Sequence, residues 1–178
     1  METPPARSIL LIGMRSSGKS TVGAALARRL GLPFVDLDAK ALAQFSEASV
    51  REVWSTHGEA AWRRAEAAML AESLDSGPAV IALGGGTPQI PQARRIIDQH
   101  RRDAAAFVVY LRASAQEIER RLCEDPGDRP ALRGADVVRE ASDVLREREP
   151  VYASIADLVV DAMSGTPQEI AEAIAAAC

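Results

Sequence analysis

The chain has 178 residues, of which 47% are hydrophobic and 26% are charged, and its formal net charge at pH 7 is −4. This length and composition are typical of a single domain with a substantial core, while the acidic balance argues against nucleic-acid binding through a basic surface. No apolar run reaches the length of a membrane span and the first residues do not resemble a signal peptide, so we expect no membrane partner. Two lone cysteines favour the cytoplasm, and we expect a monomer because no long exposed apolar helix stands out.

Short apolar runs alternate with helical patterns along the whole chain. This alternation is typical of an α/β protein whose parallel sheet is covered by helices on both faces. Capping-box patterns mark two helix starts, at Ser114–Glu117 and Thr166–Glu169. We predict one domain over residues 1–178, with strands at residues 8–12, 33–35, 79–83, 106–111 and 157–160.

The first predicted strand leads into a phosphate-binding loop, or P-loop. Its pattern G-x-x-x-x-G-K-S begins at Gly13 and ends at Ser20, and a helical pattern follows. Phosphates bound here would meet the N–H groups of a helix N-terminus. In this motif Lys19 reaches the terminal phosphates of a nucleotide, and the Ser20 hydroxyl holds Mg²⁺. Lys19 and Lys40 are the only lysines among 21 basic residues, which supports a specific use of lysine in the loop.

The second predicted strand is followed by two carboxylates, Asp36 and Asp38. Alternation along an extended segment would place both on one side, at the sheet edge where ligands of α/β proteins collect. There they could hold Mg²⁺ through water and accept a proton from an attacking hydroxyl. The alternative is that Asp38 only caps the helix that follows.

A longer helical pattern contains Glu59, Arg63 and Glu66, whose spacing places all three on one face. The set is either a solvated row of ion pairs or a guanidinium that carboxylates hold in place for a substrate carboxylate. The next predicted strand ends in Gly84-Gly85-Gly86. Three glycines there indicate either a flexible turn or a close approach by a ligand or another backbone.

The segment between two later helical patterns is charged and rich in turn residues, and we predict that residues 123–135 form a lid. An arginine in a lid, here Arg129, could neutralise charge on a transferred phosphoryl group. A helix predicted over Val137–Glu149 has an apolar stripe that Arg148 continues. Arg148 either meets an anionic ligand or extends to solvent at a helix end.

Six motifs in this order make the chain resemble the shikimate kinase family, small P-loop kinases that phosphorylate shikimate. The motifs are Gly13–Thr21, Phe34-Val-Asp-Leu-Asp38, Gly58-Glu-x-x-Trp-Arg-x-x-Glu66, Gly84–Gly86, Arg129-Pro-x-Leu132 and Arg148-Glu-Pro-Val-Tyr152. The resemblance implies a three-layer α/β/α fold, with a five-stranded parallel sheet of order 2-3-1-4-5 and a mobile lid. It also implies ATP as co-substrate with Mg²⁺.

The resemblance assigns a role to each candidate residue. Lys19, Asp38 and Arg129 would be catalytic, with Asp38 taking the proton from the shikimate 3-hydroxyl. Magnesium would be held by Ser20 and, through water, by Asp36. Shikimate would contact Asp38, Arg63, Gly84, Gly85, Gly86 and Arg148, and a substrate-binding region would extend over about residues 38–70. ATP would contact Gly13, Ser16, Ser17, Gly18, Lys19, Ser20, Thr21, Arg121 and Arg129.

Some positions depart from the family pattern. Ser16 stands where many members have a third P-loop glycine, and Arg121 is one residue away from the spacing expected of the arginine that stacks on adenine. Three other interpretations of a P-loop remain at this point. They are a kinase of gluconate or of a nucleoside monophosphate, a non-catalytic nucleotide sensor, and a regulatory NTPase.

Overall fold

A computed structural model describes residues 7–125, 131 and 136–178. Its centre is a five-stranded parallel sheet of order β2-β3-β1-β4-β5, as the resemblance implies. The strands are β1 (Ser8–Ile12), β2 (Phe34–Asp36), β3 (Val80–Ala82), β4 (Ala106–Arg112) and β5 (Leu158–Asp161). Each predicted strand is confirmed, with bounds that differ by one residue at most.

Helices follow the strands and cover the sheet. In the described part of the chain they are α1 (Lys19–Leu30), α2 (Leu37–Leu42), α3 (Val50–His57), α4 (Glu59–Asp75), α5 (Pro91–Arg102), α6 (Ala115–Glu124), α7 (Ala141–Ile155) and α8 (Pro167–Ala177), with a 3₁₀ turn at Thr87–Gln89. Helices α1 and α8 pack against each other, while α5 and α7 both pack against β4. None of the helices described is long and apolar enough to span a membrane.

The central strand β1 positions the P-loop. Its four apolar residues, Ile9–Ile12, have no exposed surface, because β3 and β4 flank the strand in the sheet and helices cover both faces. Leu10 pairs with Ile81 of β3 and with Val108 of β4. The P-loop therefore begins at the carboxyl edge of the sheet, at its central strand. Connections from this point run to opposite sides of the sheet, and this is where α/β proteins bind ligands.

Helix α7 differs from its prediction. It begins at Ala141 rather than Val137, because the Asp136 side chain accepts hydrogen bonds from Val138 N–H and Arg139 N–H and closes a separate turn first. It also continues through Pro150 to Ile155. Proline removes a helical hydrogen bond, but Pro150 itself is exposed, and the burial of Tyr152 and Ile155 holds the last turn against the core.

The two predicted capping boxes have different outcomes. At Thr166 the box is complete, with hydrogen bonds in both directions between Thr166 and Glu169. At Ser114 only half of it forms: Ser114 Oγ accepts from Glu117 N–H at 3.2 Å. The Glu117 carboxylate does not return to the cap, since it accepts hydrogen bonds from two arginines one turn later. The proposed lid, residues 123–135, lies mostly outside the described residues.

Candidate active site

A cavity of about 430 Å³ opens at the carboxyl ends of β1, β2 and β3. It joins the P-loop to the carboxylates after β2 and to the glycines after β3. Its lining residues are Arg15, Ser16, Gly18, Lys19, Ser20, Thr21, Asp36, Asp38, Ala82, Leu83, Gly85, Leu122 and Asp125. The structure thus brings three separately predicted motifs into one site.

The P-loop is closed by hydrogen bonds within itself. Lys19, only 9% exposed, directs Nζ at two loop carbonyls, Gly13 O at 3.0 Å and Met14 O at 2.6 Å. Gly18 caps α1 with a φ of 94°, a conformation that glycine adopts without strain. The first hydrogen bond of helix α1 runs from Val22 N–H to Gly18 O at 2.9 Å. The N–H groups that precede it at the start of the helix therefore form a site for an anion.

Ser20 and Asp36 form the direct link between the P-loop and β2. Ser20 Oγ donates to Asp36 Oδ2 at 2.7 Å, and Asp36 Oδ1 accepts from Asp38 N–H at 3.1 Å and Ala39 N–H at 3.2 Å. Asp36 is therefore the N-cap of α2, which corrects the alternative that Asp38 has this role. Asp38 lies in the first turn of α2 rather than on an extended segment, yet both carboxylates line the cavity.

These side chains fit a magnesium ion. A hydroxyl and a carboxylate 2.7 Å apart are hard oxygen ligands beside an anion-binding loop. Nowhere in the described chain, this site included, do three acidic, histidine or cysteine side chains form a metal-binding group. Mg²⁺ at Ser20 and Asp36 would take its remaining ligands from water and phosphate oxygens, as is usual for this ion beside nucleotides.

The ion pairs around Arg63 are confirmed, and only the Glu59 half of the row is solvated. Arg63 is bound by Glu59 at 3.0 Å and by Glu66 at 3.0 Å, and the Glu66 side chain has no exposed surface. Glu66 Oε1 also accepts from Thr87 Oγ1 at 2.8 Å, just beyond Gly86. With the Trp54 ring 5.8 Å from its guanidinium carbon, Arg63 is fixed on several sides.

The glycines after β3 permit two close approaches. A Cβ atom added at Gly86 would lie 2.9 Å from Arg63 Nη2 and nearer still to Nη1. One added at Gly85 would lie 3.2 Å from Arg15 N and 3.3 Å from Gly13 O, both in the P-loop backbone. The glycines are required because a guanidinium and another backbone both pack against them, which the flexible-turn alternative does not explain.

Arg148 lies on the face of α7 that packs toward these loops. Four residues before it, Val144 is buried near Met14 and Arg15, and four residues after it, Tyr152 donates its hydroxyl to Gly85 O at 2.5 Å. Residues four apart share a helix face. Arg148 is half-buried, and within the described chain its guanidinium has no ion-pair partner. It does not line the cavity itself.

Of two further predicted ATP residues, the structure describes only Arg121. Arg121 of α6 donates from Nη1 to Ser16 O at 3.0 Å, so it contacts the P-loop. Arg129 lies outside the described residues. Two charged cavity residues were missed by the sequence reasoning, Arg15 and Asp125. Arg15 occupies a variable position of the loop motif, and Asp125 follows a helix without a motif of its own.

Glu66 and Glu59 both bind Arg63, but replacing them should have different effects on stability. We expect Glu66→Gln to lower the free energy of unfolding by about 1–3 kcal/mol, because a buried charged hydrogen bond to Arg63 is weakened. Glu59→Gln, whose carboxylate is 53% exposed, should change it by less than about 0.5 kcal/mol. Urea denaturation measures both, and equal losses would contradict this description of the network.

The fold and this site together define a P-loop phosphotransferase that acts on a small molecule. The sequence model described as shikimate kinase matches residues 15–178. The chain therefore belongs to the shikimate kinase family, whose members use ATP with Mg²⁺.

Individual relatives agree with this assignment. Shikimate kinase 2 of Yersinia enterocolitica is 38% identical over 170 residues, which cover 94% of this chain and 93% of the relative. Shikimate kinase of Bradyrhizobium diazoefficiens is 42% identical over 155 residues, or 87% of this chain and 71% of the relative. A solved structure of shikimate kinase from Acinetobacter baumannii in complex with shikimate superposes with a TM-score of 0.85, at 29% identity and with 98% and 92% of the chains covered.

Proposed function

We propose that this chain transfers the γ-phosphoryl group of ATP to the 3-hydroxyl of shikimate, giving shikimate 3-phosphate and ADP. The observation that carries the proposal is the shared cavity, in which the P-loop and Asp38 face the same space of about 430 Å³. A phosphoryl donor on the loop and a hydroxyl at Asp38 would then be neighbours. Holding two reactants in this way accounts for a large part of phosphoryl-transfer catalysis.

In this proposal the role of each residue follows from its charge and its hydrogen-bonding groups. Lys19 and the N–H groups at the start of α1 hold the ATP phosphates, and Mg²⁺ is held by Ser20 and, through water, by Asp36. The metal would supply positive charge that balances the phosphate oxygens. Asp38 orients the acceptor hydroxyl and takes its proton. We also propose that Arg129 closes on ATP as part of a lid at residues 123–135.

The acceptor is held by its carboxylate. Arg63 is already fixed by Glu59 and Glu66 against Gly86, while Arg148 is half-buried on the α7 face beside Gly85. A guanidinium matches a carboxylate in charge and in planar geometry. A substrate carboxylate bound by Arg63 and Arg148 would place the ring beside the Gly84–Gly86 backbone and extend its hydroxyls toward Asp38.

A coupled assay of ADP release tests the proposed reaction. The purified chain is given ATP and Mg²⁺ with shikimate, quinate, gluconate or a nucleoside monophosphate as acceptor. We expect selective turnover with shikimate, because its ring would direct the 3-hydroxyl to Asp38 while its carboxylate meets the arginine pair. Turnover on gluconate or a nucleoside monophosphate instead would overturn the proposal, as would nucleotide binding without any turnover.

The arginine pair makes a separate prediction. Arg63→Ala and Arg148→Ala are each expected to weaken shikimate binding by about tenfold or more, because a charged hydrogen bond to the carboxylate is lost. ATP binding should change by less than about threefold. Calorimetry with each ligand measures both, and exposed neighbours on the same helices provide the controls Arg64→Ala and Arg146→Ala. A larger loss for ATP than for shikimate would show that the pair does not bind the acceptor.

We further propose that the enzyme acts as a cytoplasmic monomer in one domain, without a nucleic-acid or membrane partner. The acidic net charge of −4 supports this description. Light scattering of the purified chain at working concentration tests the monomer, and a dimer mass would contradict it.

A further inference from the structure

Ser16 holds a strained position in the P-loop. Its φ is 60°, and Ala104 is the only other non-glycine residue with positive φ in the described chain. Ser17 N–H donates to Met14 O at 3.3 Å, so residues 14–17 form a turn with Ser16 at its third position. Turns with positive φ at that position favour glycine. A serine there needs support from its surroundings.

Arg121 gives that support from outside the loop. Its Nη1 donates to Ser16 O at 3.0 Å, across 105 residues of sequence. The Ser16 carbonyl and the Ser17 N–H belong to the same peptide group, so this group is bound at both ends, by Arg121 and by Met14 O. Two bonds on one peptide fix its orientation, and that peptide leads directly into Gly18 and Lys19.

The guanidinium of Arg121 is itself held in place. Glu117, one turn earlier on α6, accepts a hydrogen bond from Arg121 Nε. The Arg120 guanidinium and then that of Arg121 lower the pKa of Glu117 to about 2, so this carboxylate stays ionised at neutral pH. This use of Glu117 explains why its capping box at Ser114 is only half formed. Arg120 shares the carboxylate but is 55% exposed, and its recorded bonds go to Glu117 and Glu124 on its own helix.

We infer that Arg121 is a positioning residue for the P-loop, whose bond to the Ser16 carbonyl holds the strained turn in its phosphate-binding form. Arg121 stabilises a loop conformation that serine at position 16 disfavours. A glycine at this position would adopt the same conformation without that support. This inference rests on the proposed binding of ATP phosphates at the loop. It differs from a contact between Arg121 and the adenine ring, because it acts on phosphate binding alone.

Inorganic tripolyphosphate, which has no base, tests the inference by calorimetry with four proteins: the unaltered chain, Arg121→Ala, Ser16→Gly and the double variant. We expect Arg121→Ala to weaken tripolyphosphate binding about tenfold when Ser16 is present. In the Ser16→Gly background the same change should cost about twofold or less, because glycine adopts the turn without help. Equal losses in both backgrounds, or no loss in either, would overturn the inference.

Further variants separate positioning from other effects. Arg120→Ala should leave tripolyphosphate binding unchanged, and Arg121→Lys should restore part of the loss, since an ammonium can still donate to the carbonyl. In turnover assays Arg121→Ala should raise the KM for ATP more than it lowers kcat. A loss with ATP but none with tripolyphosphate would assign Arg121 to the base and contradict positioning. Tripolyphosphate binding without shikimate phosphorylation would overturn the proposed function and leave this inference standing.

Discussion

Asp38→Asn is expected to lower kcat by on the order of 10²-fold or more, while the protein remains folded. The amide keeps the size of the carboxylate and can still hydrogen-bond a substrate hydroxyl, but it is a very weak base. Asp38 lies in the first turn of α2 and lines the cavity beside the P-loop, where the acceptor hydroxyl would meet the phosphate. Steady-state kinetics with shikimate and ATP measure the effect, and circular dichroism checks the fold.

The binding constants make this prediction specific. Shikimate affinity should fall by less than about tenfold in Asp38→Asn, because the loss lies in the chemical step rather than in binding. Asp75→Asn, at the exposed last residue of α4, serves as the control and should keep normal turnover. Near-normal kcat in a folded Asp38→Asn protein would remove Asp38 from its role as the base.

Lys19→Ala is the second change with a large expected effect, again on the order of 10²-fold or more in kcat. The ammonium binds Gly13 O and Met14 O, so the P-loop backbone holds it within the phosphate-binding loop. Alanine removes the positive charge that would neutralise the transferred phosphoryl group, and it also leaves both carbonyls without this donor. The KM for ATP should rise as well.

The other lysine of the chain is a suitable control. Lys40 pairs with Glu72 at 3.2 Å and donates to Ser73 Oγ at 2.8 Å, and it does not line the cavity. Lys40→Ala should therefore lose some stability at most and keep its kcat. If Lys19→Ala kept more than about a tenth of the turnover of the unaltered chain, the P-loop lysine would not have the role that phosphoryl transfer requires.

Local patterns were sufficient to predict the five strands and the P-loop, while the order of the strands came from the resemblance to the shikimate kinase family. A strand buried on both faces needs an apolar run, and a P-loop needs glycines and a lysine at fixed spacing. The spacing of Glu59, Arg63 and Glu66 was likewise enough to predict their ion pairs, since helical geometry brings these positions together.

What the sequence did not reveal depends on contacts between distant segments. The burial of Glu66 follows from Thr87, 21 residues away, and the support of Ser16 comes from Arg121, 105 residues away. Asp36 and Asp38 show a local limit as well. Both fit an N-cap position, and alternation was applied two residues too far, because the strand ends at Asp36 and its side chain starts the helix.

The packing of Gly85 against the P-loop backbone has a wider consequence. Because main-chain atoms meet there without intervening side chains, the distance between the P-loop and the loop after β3 is set by the fold itself. In the proposed reaction this fixes the phosphate side of the cavity, while side chains such as Asp38 and Arg63 would align the acceptor. An architecture of this kind would allow new alcohol substrates to arise during evolution through exchange of the acceptor-binding side chains alone.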